Sequence, residues 1–265
     1  MRRYVGIAFG LGNHLLFAVT VVYLFLFLKR ESQPLPSADC SLLVDFLLAL
    51  MFAVPHSVLL LPKVRQQLTR VVPHAFYGSM FCVVTCMSLL MVFAGWQPSP
   101  PMLWQFTGVS RWLVQGAFLG SWVTLIYSLS LTGLGYQTGW TTWWCWFRRI
   151  PPPARGFNPR GAYLWLRHPV YLSFLGLIWF APVMTTDRAV LTATWTIYIF
   201  FGSWLKDQRL IHYVGEDYAR YQAKVPGYPG MFFGPLGRVP QIAAPASGPP
   251  VFERVEKQSI IRKAA

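Results

Sequence analysis

Residues Gly161–Leu175 read GAYLWLRHPVYLSFL, and this stretch determines the organisation of the second half of the chain. It joins an arginine, a histidine and a proline directly to an apolar run. Proline suits the first turn of a helix, because its missing N–H would have no intrahelical partner there. Arg167 and His168 then lie at the positive end of that helix, where the dipole favours an anionic ligand. On these residues alone, the triplet is an interfacial anchor, a helix start or part of an active site.

The composition predicts an integral membrane protein. Of the 265 residues, 54% are hydrophobic and only 12% are charged, whereas a soluble domain has about 25% charged residues. The mean hydropathy is +0.41, and the 12 Trp, 12 Tyr and 20 Phe are typical of aromatic belts at membrane interfaces. The net charge of +14 does not indicate nucleic-acid binding, because the basic residues fall between apolar runs. We therefore expect membrane lipids as partners and no nucleic acid.

The cysteines do not indicate a metal site. Cys40, Cys82, Cys86 and Cys145 include no CxxC pair and imply no disulfide framework. Cys82 and Cys86 fall four residues apart within an apolar run, as small buried hydrophobic residues do. We expect no bound metal.

Six apolar runs are candidates for membrane-spanning helices, each of which needs about 20 residues. They are Val5–Leu28, Ser41–Leu61, Phe76–Trp96, Trp112–Thr132, Val170–Met184 and Ala189–Leu205. Only Thr185–Arg188 separates the fifth run from the sixth, which predicts a tight helical hairpin. The first run follows two arginines, as in a signal peptide, but it is too long and lacks a cleavage site, so we expect a retained helix.

The positions of the basic residues predict the orientation in the membrane. With the N-terminus in the cytoplasm, 19 of the 23 Lys and Arg residues fall on the cytoplasmic side. We therefore predict an all-α, multi-pass membrane protein with about six transmembrane helices and both termini in the cytoplasm. The stretch Gly161–Leu175 then lies at the cytoplasmic face.

The chain divides into four predicted segments. Residues 1–132 form an N-terminal region of four membrane helices, and residues 133–160 form an interfacial loop rich in Trp and Pro. Residues 161–230 form a core of a helical hairpin and a cytoplasmic helix. Residues 231–265 are rich in Gly and Pro at their start, and we expect a disordered tail.

A second polar stretch follows the sixth run. Lys206–Tyr228 reads KDQRLIHYVGEDYARYQAKVPGY and continues the run as a polar helix that Gly215 would interrupt. It is either an amphipathic helix on the membrane surface or part of a ligand site. Tyr218 and Tyr221 favour the ligand site, because their rings could stack on an adenine or face a sulfonium cation.

Among the ionisable residues inside the predicted spans, His56 is a candidate functional residue. His56 lies in the second run, in the segment FAVPHSVLL. It is either a core histidine bonded to a carbonyl that Pro55 frees, or a residue close to an active site.

Together the two polar stretches resemble the isoprenylcysteine carboxyl methyltransferase-like superfamily of integral membrane methyltransferases. The superfamily pattern is Gly-x-Tyr, Arg-His-Pro-x-Tyr, a helical hairpin, an acidic pair, a Leu, Gly-x-x-Tyr-x-x-Tyr and Val-Pro. In this chain it falls on Gly161, Tyr163, Arg167, His168, Pro169, Tyr171, Leu210, Gly215, Tyr218, Tyr221, Val225 and Pro226. Where the superfamily has Glu-Glu, this chain has Lys206-Asp207. The segments LLALMFAVPHSVLLLP, LTGLGYQTGW and WFAPVMT further resemble the bacterial methanethiol S-methyltransferase branch.

The resemblance implies S-adenosylmethionine as methyl donor, bound at the cytoplasmic face by the methyltransferase core, which is then a cytoplasmic C-terminal cofactor-binding region. The likeness to a bacterial branch implies the bacterial inner membrane as the location. The implied donor-binding residues are Tyr163, Arg167, His168, Pro169, Tyr171, Leu210, Gly215, Tyr218 and Tyr221. Arg167 and the helix start at Pro169 would take the carboxylate of the donor, and the tyrosines its ring or its cation. Asp207 and Arg209 are candidate catalytic residues that orient or deprotonate the acceptor, and His56 is a third candidate.

We therefore predict a membrane methyltransferase dependent on S-adenosylmethionine, with methylation of methanethiol to dimethyl sulfide as its specific activity. The acceptor is a small apolar thiol or a lipid-like molecule. One alternative is methylation of a lipid or isoprenyl-type carboxyl, thiol or amine. Others are a non-catalytic, denitrification-associated relative of the same fold and a sterol-reductase-like enzyme with a nicotinamide cofactor. The sequence does not indicate an oligomeric state.

Overall fold

A computed structural model describes residues 2–30, 41–98, 101–154 and 156–239 of the chain. Its helices are α1 (Arg2–Lys29), α2 (Ser41–Leu60), α3 (Pro62–Leu68), α4 (His74–Gly95), α5 (Gly108–Thr132), α6 (Leu134–Gln137), α7 (Trp140–Arg148), α8 (Pro169–Trp179), α9 (Thr186–Val214) and α10 (Glu216–Lys224). A 3-10 turn covers Gly161–Leu164, and two short strands are β1 (Met102–Gln105) and β2 (Val183–Thr185). The described residues divide into two compact units: those of 1–154 and 173–199 form the first, and those of 155–172 and 200–239 belong to the second.

The first unit contains the helices that identify a membrane protein. Four helices, α1, α2, α4 and α5, are long and apolar enough to cross a bilayer. The apolar helix α8 has only 11 residues. The prediction of an α-helical membrane protein is thus confirmed, and four of the six predicted spans correspond to helices of full length within the described residues.

Glycines allow α7 to pack closely on its neighbours in the first unit. The indole Nε1 of Trp143 donates a hydrogen bond of 2.9 Å to the carbonyl of Gly6 on α1. A Cβ atom at Gly10 would lie 2.1 Å from the ring of Trp143, so only glycine leaves space for this side chain. A Cβ atom at Gly78 on α4 would likewise lie 2.8 Å from the Cα of Gly139, which directly precedes α7. Close backbone approach of this kind is a general reason for glycine in a packed interface.

The predicted fifth helix is wrong at its C-terminal end. The helix ends at Trp179, and the residues that follow form β2, which pairs antiparallel with β1 in the register Trp104↔Met184. Pro182 explains the end, because proline commonly follows a helix that it cannot continue. The carbonyl of Pro182 accepts a hydrogen bond of 2.8 Å from the N–H of Phe106. The predicted all-α fold therefore contains one small sheet, and Thr186–Arg188, predicted as a linker, belong to α9.

In the second unit, the polar end of α9 is followed by α10 and an irregular segment. α9 has 29 residues and ends at Val214, where Gly215 adopts a left-handed φ of 75°. Residues 231–239, which the sequence assigns to a disordered tail, instead bond to the rest of this unit: the N–H of Val239 donates to the carbonyl of Gln222, at 3.3 Å. The remainder of the predicted tail, 240–265, lies outside the described residues.

Candidate active site

Gly215 brings the polar C-terminal part of α9 and the helix α10 together. Its positive φ of 75° is readily adopted by glycine and not by other residues, so the chain turns sharply between α9 and α10. The turn places Tyr218 of α10 against Asp207 of α9. The hydroxyl of Tyr218 donates a hydrogen bond to Oδ1 of Asp207, and both side chains are buried.

Asp207 is the centre of a buried polar cluster. Its Oδ2 accepts hydrogen bonds from Nη2 of Arg167 (3.0 Å) and Nε2 of His168 (3.2 Å). Burial alone would raise the pKa of Asp207. The hydrogen bond from His168, the charge of Arg167 and the hydrogen bond from Tyr218 outweigh burial and hold that pKa below its ordinary value. Asp207 is therefore ionised at neutral pH, with both oxygens occupied.

Arg167 connects the start of α8 with the segment that follows α10. Its side chain is fully buried, and within the described part of the chain its partners besides Asp207 are main-chain oxygens. These acceptors are the carbonyls of Gln222 (3.2 Å), Val225 (2.8 Å), Gly237 (2.7 Å) and Pro235 (3.2 Å). Both Nη atoms are thus engaged, whereas Nε has no hydrogen-bond partner among the described residues.

His168 lies beside Arg167 and is completely buried. Burial lowers the pKa of His168 more than the neighbouring carboxylate of Asp207 raises it, so the imidazole is neutral at pH 7. An ionised carboxylate can only accept hydrogen bonds, so the proton of the neutral ring lies on Nε2. Nδ1 is then an acceptor, and within the described part of the chain it has no hydrogen-bond partner.

An aromatic group adjoins this polar cluster. The ring centroid of Phe157 lies 5.4 Å from the centroids of both Tyr218 and Tyr221, with edge-on geometry. The hydroxyl of Tyr221 donates to the carbonyl of Tyr163, which fixes the 3-10 turn against α10. Burial raises the pKa values of Tyr218 and Tyr221, so both hydroxyls are neutral.

Lys206 holds its ammonium between two aromatic rings. Nζ lies 5.3 Å from the ring centroid of Tyr171 and 5.8 Å from that of Tyr163, both within cation–π range. Burial lowers the pKa of Lys206 to about 8, although Asp207 raises it; the charge of Arg209 lowers it further.

The other predicted site residues also belong to the second unit, with the exception of His56. Pro169 is the first residue of α8, and Leu210 lies on α9, partly buried. Arg209 is also partly buried on α9 and acts electrostatically on Lys206. His56 belongs to the first unit instead, where its Nδ1 lies 3.3 Å from Oγ1 of Thr85.

Two features of this cluster were not predicted from the sequence. Tyr228 is buried, its hydroxyl bonds to Ser203, and its ring centroid lies 5.5 Å from that of His168. A signal for it was present, since Tyr228 lies two residues after Pro226, the last residue of the superfamily pattern. Phe157 precedes the pattern in a Pro-rich segment, and nothing in its surroundings in the sequence indicates a contact with tyrosines.

Sequence comparison finds relatives over most of the chain. The chain is 30% identical over 211 residues to the methanethiol S-methyltransferase of Pseudomonas deceptionensis, an alignment that covers 79% of each protein. It is 29% identical over 238 residues to methanethiol S-methyltransferase 1 of Bradyrhizobium diazoefficiens, covering 84% of this chain and 81% of that protein. Nurim of Xenopus laevis is 27% identical over 170 residues, which is 61% of this chain and 59% of nurim. No family model matches the chain, and no solved structure matches at a significant level.

Proposed function

The chain belongs to the methanethiol S-methyltransferase family, and we propose that it transfers a methyl group from S-adenosylmethionine to methanethiol, which yields dimethyl sulfide. The observation that carries the proposal is the 30% identity to the Pseudomonas deceptionensis enzyme over 79% of both chains. The cluster around Asp207 supports it, since it combines buried polar atoms in need of a partner with aromatic rings that suit a cationic ligand.

The donor fits the residues of the second unit. S-adenosylmethionine supplies a methyl group on a sulfonium, together with an adenosyl group and a carboxylate. Nδ1 of His168 would accept a hydrogen bond from the adenosyl part, because this buried atom lacks a partner among the described residues. Nε of Arg167 and the start of α8 at Pro169 would attract the carboxylate. The rings of Tyr171, Tyr218 and Tyr221 would pack on the adenine or face the sulfonium.

Asp207 acts in this proposal as a positioning residue. An ionised carboxylate with a lowered pKa and three hydrogen-bond donors is a poor proton acceptor. It can instead fix Arg167, His168 and Tyr218 in one arrangement, and orientation of reacting groups is worth several orders of magnitude in rate. Leu210 and Gly215 contribute by packing and by the turn between the helices.

We also propose that the chain crosses the bacterial inner membrane six times, with both termini in the cytoplasm. Helix α8 has 11 residues and rises about 16 Å, too little for a hydrocarbon core of about 30 Å. The six residues that follow, up to Thr185, can add about 20 Å in an extended conformation. Residues of β2 pair with β1, which lies between α4 and α5 in the chain. In the proposed orientation the connection between α4 and α5 is on the side opposite the cytoplasmic face. The helix and the extended segment together would thus complete the fifth crossing.

Expression in a bacterium that makes no dimethyl sulfide tests the activity. Cells supplied with methanethiol should release dimethyl sulfide into the headspace, whereas cells with an empty vector should not. Absence of dimethyl sulfide with well-expressed protein contradicts the proposed acceptor.

Calorimetric titration of purified protein with S-adenosylmethionine tests donor binding separately from methyl transfer. Binding of S-adenosylmethionine without transfer to methanethiol would indicate another acceptor, such as a lipid, or a non-catalytic relative. Within the proposed site, His168→Ala and Tyr218→Phe should abolish binding. Tyr213→Phe is a matched control, because Tyr213 lies on the polar part of α9 and its recorded ring contact is with His212 and not with a residue of the cluster.

A further inference from the structure

The side-chain amine of Lys206 forms no ion pair with a carboxylate among the described residues. Among the described residues, no carboxylate oxygen lies within salt-bridge distance of its ammonium, which instead lies within cation–π range of the rings of Tyr163 and Tyr171. The nearby Asp207 is already engaged by Arg167, His168 and Tyr218. The carboxylate of Asp207 therefore offers Lys206 no direct ion pair, and a buried amine without one favours its neutral form.

We propose that Lys206 is the base that deprotonates the acceptor thiol in this site. The S–H bond of the thiol breaks, its proton goes to the lone pair of Nζ, and the sulfur keeps the electron pair as a thiolate. The new ammonium remains beside the thiolate and stabilises it electrostatically, while the faces of Tyr163 and Tyr171 stabilise the ammonium. This inference rests on the proposed function, because it assumes a thiol acceptor.

The other titratable groups of the cluster are less suited to this role. Asp207 has a lowered pKa and three donors, so it stays ionised and saturated. The burial that lowers the pKa of His168 makes its imidazole a weak base, and Tyr218 is neutral with its proton committed to Asp207. Arg209 carries a guanidinium, which donates hydrogen bonds and has no acceptor atom for a proton.

The protonation equilibrium of Lys206 is compatible with a base. Burial lowers its pKa to about 8. The carboxylate of Asp207 raises this pKa, and the charge of Arg209 lowers it. A substantial fraction of the amine is therefore unprotonated slightly above neutral pH, whereas an exposed lysine, with a pKa of about 10.4, is almost fully protonated.

Two acceptors that differ in acidity test the role of Lys206 as a base. An alkyl thiol is mostly protonated at neutral pH, and an aryl thiol is mostly ionised. Lys206→Met should lower kcat/KM for methanethiol by about 10²–10⁴, the usual contribution of a general base, and for thiophenol by less than about tenfold. Lys206→Arg keeps the charge but cannot take up a proton, so it should behave like Lys206→Met. Lys224→Met, on the exposed side of α10, is the matched control and should behave like wild type.

The outcomes separate the inference from the proposed function. Equal losses for the two thiols in Lys206→Met, or full activity with methanethiol in Lys206→Arg, would overturn the role of Lys206 as a base. A wild-type protein that methylates neither thiol would instead overturn the proposed function.

Chemical labelling gives a readout that needs no methyl donor. Reductive methylation of the full chain at a series of pH values, followed by mass spectrometry, reports the fraction of unprotonated amine at each lysine. Labelling of Lys206 should have its midpoint near pH 8, well below the value of about 10.4 for a lysine in a model peptide. A midpoint near that model-peptide value for Lys206 would contradict the proposal.

Discussion

Replacing Asp207 by Asn tests whether one carboxylate organises the second unit. The substitution preserves the size of the side chain and removes its charge. Arg167, which is 1% exposed, then loses Asp207 as its ionic partner and keeps its bonds to main-chain carbonyls. The amide also presents one acceptor oxygen where the carboxylate presents two, so its N–H₂ group turns towards one of the existing donors.

The contacts of Asp207 set the expected loss of unfolding free energy. A hydrogen bond to a charged group contributes about 1.5–3 kcal/mol, and removal of one partner from a buried ion pair costs about 3–5 kcal/mol. The carbonyls that remain around Arg167 place the effect at the lower end, at about 3 kcal/mol of unfolding free energy. For a chain of this size, that corresponds to a fall in Tm of roughly 6–12 °C.

Thermal unfolding of the purified protein at one scan rate measures the difference. Asp217→Asn is the matched control, since Asp217 forms an ion pair with Arg220 whose side chains are 65% and 61% exposed. Such surface pairs contribute little, and the Tm of this control should stay close to that of wild type. The pKa of Asp207 is lowered in the folded state, so its contribution is lost as the pH falls through that pKa, and the two proteins should converge in strong acid. Equal Tm values for Asp207→Asn and Asp217→Asn at neutral pH would refute the reasoning.

Three further predictions concern the neighbours of Asp207. Tyr218→Phe removes one donor to the carboxylate and should lower the unfolding free energy by about 1.5–3 kcal/mol, whereas Tyr213→Phe should leave it unchanged in the same thermal assay. Arg167→Lys cannot reproduce five hydrogen bonds from a guanidinium, so limited proteolysis should cut residues 225–239 faster than in wild type; an unchanged cleavage rate would contradict this. The pKa of His168 is lowered by burial, so the unfolded state takes up the proton first and stability should fall below about pH 6.5; His168→Gln should lack this part of the pH dependence, measured by denaturant titration.

The sequence predicted the family and much of the cluster. The recognition of the superfamily and of its methanethiol-specific branch is confirmed by the relatives. The pattern on Arg167, His168 and Tyr218 also indicated residues that the structure brings together, because a fixed motif spacing reflects a fixed arrangement of helices. Their roles towards a donor and an acceptor remain predictions.

The partners of Arg167 could not be predicted in the same way. They are carbonyl oxygens of residues 222–237, and every residue type carries a carbonyl. No residue pattern distinguishes those that accept a hydrogen bond from an arginine about 60 positions away. The part of this segment from residue 231 onward was assigned to a disordered tail because it is rich in Gly and Pro. The same composition also suits a tightly turned, hydrogen-bonded segment.

The small sheet was missed for a related reason. An apolar run of a few residues fits a buried strand as well as the end of a helix, and periodicity cannot separate the two. The segment Val183–Thr185 continues an apolar helix in the sequence, and its partner Met102–Gln105 lies about 80 residues earlier. Pro182 was the one local sign that the helix ends before Met184.

The most direct test of the central claim uses purified protein with methanethiol and S-adenosylmethionine that carries a deuterated methyl group. Mass spectrometry of the headspace should detect dimethyl sulfide shifted in mass by the label, formed with wild type and not with His168→Ala. Labelled donor that is bound but yields no labelled dimethyl sulfide would contradict the assignment of this chain as a methanethiol methyltransferase.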